Sequence, residues 1–148
     1  MLKLIQQNLV IIIFISLVGC SSQSETLDKE YADPEVPCLM VISGSDKVQA
    51  VRGTTSWDSF EADSVAPPEL VAYQEGKINA KLNSEIEMNF SEKPKSFEVY
   101  LWNDEEREKR ISFQESIFVA DKSGSVVYEI KAEWAEGYAY FAFNINVD

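Results

Sequence analysis

The chain has 148 residues, 13 basic against 25 acidic, and a formal net charge of −12. A phosphate backbone is gripped by clustered Lys and Arg, so this balance argues against nucleic acid as a partner. There is no histidine, which removes the usual general base, the commonest metal ligand and the middle member of Ser-His-Asp and Cys-His sites. A composition 45% hydrophobic and 26% charged belongs to a folded globular domain, and no cofactor is indicated.

Residues 1–19 read as an export signal: Lys3 near the amino terminus, then the uncharged run from Leu9 to Val18. A bilayer core needs about 20 apolar residues in a spanning helix, so this run is too short to be a membrane span. It ends in Leu17-Val18-Gly19-Cys20, which resembles the lipobox of bacterial lipoproteins. The resemblance implies that Cys20 receives a diacylglycerol and becomes the new N-terminus after cleavage. Two acyl chains make a lasting anchor where one is marginal. The implied location is the extracytoplasmic face of the cell membrane, or the outer membrane in a diderm cell, with lipid on Cys20 as the membrane contact.

Residues 20–35 form the lipidated N-terminus and an acidic tether, Ser21 to Glu35 being polar and nearly free of aliphatic side chains. As a flexible coil of about 15 residues it spans on the order of 20 Å. Loss of the leader removes Lys3 and no acid, taking the formal charge to −13. With Cys20 assigned to lipid, Cys38 has no intramolecular partner. Its apolar neighbours Leu39-Met40-Val41-Ile42 make it a small core residue at the start of a strand.

Residues 36–148 alternate apolar and polar side chains, the period of half-buried strands. Cys38 to Ser43 and Lys47 to Trp57 are strands around the Gly44-Ser45-Asp46 turn. Lys77 to Leu82 directs Ile78, Ala80 and Leu82 inward, and Glu85 to Phe90 directs Ile86, Met88 and Phe90 inward. Phe97 to Trp102 repeats the pattern. The charged Asn103 to Arg110 connection is long enough for a helical turn or two, and is followed by Ile111 and Phe113, then Ile117 and Val119, as inward residues. After a turn at Asp121 to Gly124, Val126, Tyr128, Ile130, Ala132 and Trp134 alternate with Val127, Glu129, Lys131 and Glu133. The last strand turns Ala139, Phe141, Phe143, Ile145 and Val147 to one side and Tyr138, Tyr140, Ala142, Asn144 and Asn146 to the other. Seven to nine short strands with a turn every 8 to 12 residues predict an all-β antiparallel sandwich.

Tyr128-Glu129-Ile130-Lys131-Ala132 leading into the final strand resembles the closing hairpin of immunoglobulin-like sandwiches. Arg52 to Trp57, Ala66-Pro67-Pro68-Glu69-Leu70 and the Tyr/Trp-rich end make the mature chain similar to small Firmicutes lipoproteins with such a fold. Neither likeness implies an activity.

Acid–base chemistry without histidine falls to carboxylate pairs flanking a glycosidic bond. Glu85, Glu87, Glu98, Glu129 and Glu133, however, occupy solvent-facing strand positions, and no Gly-x-Ser-x-Gly or Ser-x-x-Lys motif is present. Asp104-Glu105-Glu106 with Glu108 lacks the spacing and glycine of a calcium loop and reads as a solvated, self-neutralising segment. The sharper signal is aromatic. If the strands ending in Trp102, Trp134 and Val147 are neighbours, Tyr100, Trp102, Tyr138 and Tyr140 share one outward face with Glu98, Glu129, Lys131 and Glu133. Such a face suits an envelope protein, a glycan or a cationic ligand. The competing expectation is that the rings only support cross-strand packing, or lie under a loop such as Trp57 to Glu69. The expectation is therefore a non-catalytic binding domain, the alternatives being a carboxylate-dependent glycan hydrolase and a structural accessory subunit.

Overall fold

The computed structural model describes residues 36–103, 106–109 and 116–148. Cys20, the signal and tether segments, Ile111 and Phe113 lie outside the described residues. The strands are β1 (Leu39–Ser43), β2 (Asp46–Gln49), β3 (Val51–Trp57), β4 (Phe60–Ala62), β5 (Asn79–Ala80) and β6 (Glu85–Phe90) in the first part of the domain. The second part supplies β7 (Ser96–Asn103), β8 (Glu106–Lys109), β9 (Ile117–Val119), β10 (Gly124–Glu133) and β11 (Gly137–Val147). One helical turn, α1 (Pro67–Leu70), runs into a 3₁₀ turn at Val71–Tyr73.

These strands form two sheets, β2-β1-β6-β9 and β4-β3-β11-β10-β7-β8, antiparallel except for β5, which adds to β11 in parallel. From β6 onward the chain follows the immunoglobulin-type order. β6 lies in the smaller sheet, β7 and β8 in the larger, β9 returns beside β6, and β10 returns beside β7 with β11 on its far side. The expected all-β sandwich is present, with eleven described strands in place of seven to nine. The additional strands come early: the β1–β2 hairpin widens the smaller sheet and the β3–β4 hairpin widens the larger one beyond β11.

Alternation produces this because successive side chains point to opposite faces. Leu39, Val41, Ile86, Met88 and Phe118 from the smaller sheet meet Val99, Leu101, Tyr128, Ile130, Phe141, Phe143 and Ile145 from the larger. Tyr128 stacks on Phe143 at 5.6 Å between ring centroids and lies 4.8 Å from Phe118. At one end of the core Trp57 and Trp134 meet edge to face at 5.4 Å, and the Trp134 indole donates to the Glu92 carbonyl. Both tryptophans belong to the buried core.

Several local expectations need correction. Lys47 to Trp57 is two strands in different sheets, broken at Ala50, whose N–H turns back to the Leu39 carbonyl. Leu82 is 44% exposed: it lies beyond the end of β5, its N–H still bonds the Asp148 carbonyl, and the chain turns at Asn83 with φ +66°. In β9 the phase is inverted: Ile117 and Val119 are 37% and 45% exposed, and Phe118 fills the core. Cys38 is exposed, one residue before β1, with its N–H bonded to Ser91 Oγ. The charged run after Asn103 contains an extended strand, β8, paired with β7. The helical turn lies elsewhere, at Pro67-Pro68, where fixed φ favours the first positions of a helix and missing N–H groups cost nothing.

Candidate functional site

The three strands expected to share the aromatic face are neighbours, in the order β7-β10-β11. Their register sets Tyr100 opposite Glu129, Glu98 opposite Lys131, Lys131 opposite Tyr140, and Glu133 opposite Tyr138. Tyr100 and Trp102 therefore flank β10 on one side, with Tyr138 and Tyr140 on the other. All four rings are half-buried. They are engaged by neighbouring charges, and three of them make ring–cation contacts.

Its centre is Glu129. Alternation places this carboxylate outward, yet it is only 8% exposed. The Trp102 indole N–H donates to Oε2 at 3.2 Å, and Arg107 Nε, from β8, lies 3.1 Å from the same oxygen. Burial pushes the Glu129 pKa above its ordinary 4.5, with the Trp102 hydrogen bond and Arg107 opposing the rise. The Arg107 guanidinium carbon lies 3.5 Å from the Tyr100 ring centroid and 5.7 Å from that of Tyr140. Arg107 is thus held by two rings and a carboxylate, all from the three long strands. The Tyr100 hydroxyl donates to Glu98 at 2.6 Å, and burial, followed by this bond, raises its pKa.

A second cluster lies along the same face. Lys131 Nζ sits 2.7 Å from Glu133 and 5.2 Å from the Tyr138 ring, and Tyr138 packs edge to face on Tyr140 at 5.9 Å. The Glu133 pKa is lowered by Lys131, and that of Lys131 is raised, chiefly by the same pairing. Three of the four rings carry a basic side chain.

One part of the face is roofed. The segment from Ser64 to Leu70 crosses it, burying Pro67 and Leu70, and Ala142 beneath is fully buried. Gly53 on β3 permits the approach: a Cβ there would stand 3.0 Å from Ser64 Oγ and 3.1 Å from a Leu70 methyl. Ser64 Oγ accepts the Thr54 N–H at 3.0 Å, pinning the crossing segment. Between roof and sheet remains a half-open cleft of about 180 Å³ lined by Thr54, Ser64, Leu70, Glu129 and Tyr140 among others. A loop covering, the alternative read from sequence, is present over Ala142, and of the four rings Tyr140 lines the cleft beneath it.

Arg107 and the burial of Glu129 were not legible in the sequence. Arg107 sits in a run that reads as self-neutralising, and its role depends on the β7–β8 register, which sets it opposite Trp102. The carboxylates considered for hydrolysis are divided: Glu85 and Glu87 lie on β6 in the smaller sheet, the others on the larger. Among the described residues no three Cys, Asp or Glu side chains gather as metal ligands, and no helix is long and apolar enough to cross a membrane. No family model, curated protein or solved structure matches the chain.

Proposed function

We propose that this protein is a bacterial lipoprotein, anchored through Cys20 outside the cytoplasm, whose domain recognises a basic segment of an envelope protein without catalysing a reaction. The observation that carries the reading is the coordination of Arg107 by Tyr100, Tyr140 and Glu129, with Lys131 against Tyr138 beside it. Tyrosine faces attract cations through the ring quadrupole, by about 0.5–2 kcal/mol depending on desolvation. The surface that offers them belongs to a chain of net charge −12, which steers basic partners toward it and repels anionic ones. These rings favour a cation over a glycan because their neighbours are charged groups already arranged around cations.

Catalysis is not part of this reading. Glu129, the most buried acid of the face, accepts from Trp102 and Arg107 on one oxygen, an arrangement that holds a carboxylate in place. The test is replacement of Tyr100 and Trp102 together by Ser in the lipidated protein, followed by measurement of its crosslinking to envelope proteins in intact cells. The expected result is an unchanged β-type circular dichroism spectrum with loss of the partner crosslink. A crosslink unaffected by the double replacement overturns the assignment of the face.

A further inference from the structure

The groups that surround the Arg107 guanidinium differ from Arg107 in one respect. Tyr100, Glu129 and Tyr140 belong to β7, β10 and β11, the long strands whose inner faces make the core. Arg107 belongs to β8, four residues at the sheet's edge, paired only with β7, and its side chain is 36% exposed. The receiving groups are therefore fixed by the core, while the cation among them is supplied from the periphery. Glu129 and Tyr140 also line the cleft under the Ser64–Leu70 crossing, and Arg107 is not among the residues that line it.

We propose that Tyr100, Tyr140 and Glu129 form a receptor for a single guanidinium group, and that Arg107 is its built-in occupant, displaced when an arginine side chain of the partner enters. The proposal rests on the basic-partner reading and adds the ligand class and a self-inhibiting contact. Guanidinium fits better than ammonium because a planar cation stacks on one ring while its N–H edge pairs with a carboxylate, as Arg107 does. A site filled by its own side chain is competent only for the fraction of time that side chain is out, and the apparent dissociation constant rises by the inverse of that fraction. Occupancy of about nine-tenths implies a tenfold weakening.

The experiment uses the full-length lipoprotein in detergent and fluorescein-labelled decaarginine, read by anisotropy. Arg107→Met, which keeps the aliphatic stem, is expected to bind about ten times more tightly than the original chain, and adding Glu129→Gln is expected to abolish that gain. Lys47→Met on β2, in the other sheet, removes the same charge elsewhere and is expected to change binding less than twofold. Should Arg107→Met fail to fold, Arg107→Gln provides the same comparison. Equal binding by the Arg107 variants and the original chain overturns the built-in occupant and leaves the basic-partner reading standing. Equal gains from Arg107→Met and Lys47→Met reduce the effect to net charge and also overturn it. Absence of binding in every variant removes both.

Discussion

Loss of Arg107 leaves a buried carboxylate without its counter-ion, and the cost is calculable. Removing one partner of a fully buried ion pair costs about 3–5 kcal/mol, whereas exposed pairs are worth about 0–1. Glu129 is 8% exposed and the Arg107 side chain 36%, and Trp102 keeps its hydrogen bond to Glu129. Discounted for solvent at Arg107, the expected destabilisation by Arg107→Met at pH 8 is about 1–2 kcal/mol, or roughly 3–6 °C per kcal/mol in a domain of this size. The pH dependence follows from the raised Glu129 pKa, whose main cause is burial. Between the ordinary value and the raised one the folded state holds more protons than the unfolded chain, so this group's contribution falls as pH rises through the folded pKa. Removing Arg107 takes away one influence that lowers this pKa, extending the penalty to higher pH. Thermal melts of both proteins at pH 5 and pH 8 are expected to show the larger difference at pH 8. A double-mutant cycle with Glu129→Gln is expected to give a coupling of about 1–2 kcal/mol. A coupling near zero, or a melting difference independent of pH, refutes the placement of Arg107 on Glu129.

The β9 phase predicts that Phe118→Ala costs about 3–5 kcal/mol in urea unfolding, while Val119→Asp, at a 45% exposed position, stays within about 0.5 kcal/mol; the reverse order contradicts the register. Gly137→Ala is expected to destabilise by about 1–3 kcal/mol or more, because a Cβ there collides with the Ser56 carbonyl; an unchanged melting temperature argues against the β3–β11 approach. Exposed Cys38 is expected to react with a maleimide in the folded protein, read as one adduct by mass spectrometry without denaturant. Cys20→Ser is expected to prevent incorporation of a labelled fatty acid and to release the protein from the membrane fraction; labelling that survives the substitution removes the anchor assignment.

The long strands were legible because their alternation is uninterrupted. In Val126 to Trp134 and Ala139 to Val147 one parity carries the apolar residues apart from Val127, Tyr140 and Ala142, and that parity is buried throughout. Ile117-Phe118-Val119 offers apolar residues at both parities, so periodicity alone could not orient it. The structure buries Phe118 and leaves two β-branched residues on the edge. Lys47 to Trp57 read as continuous because a change of sheet at Ala50 leaves no polar or glycine mark. The four aromatic residues of the face were found because neighbouring strands and parity sufficed to place them. Arg107 and Glu129 were missed as a pair because their meeting depends on β8 being extended and on its register with β7, both set by pairing across the sheet. The Pro67–Leu70 turn was missed because four residues are too few to show a helical period.

The central claim is that the rings recognise a cation through their faces, beyond the attraction of an acidic surface. Replacing Tyr100 and Tyr140 with Leu keeps the net charge and comparable apolar bulk while deleting the two rings nearest the Arg107 guanidinium. Anisotropy titration of labelled decaarginine, at low and physiological salt, compares this double variant with the original chain. The account predicts at least a tenfold weaker association for the variant at both salt concentrations. Equal affinities that fall together as salt is added would show that bulk charge alone attracts the peptide, contradicting the role given to Tyr100 and Tyr140.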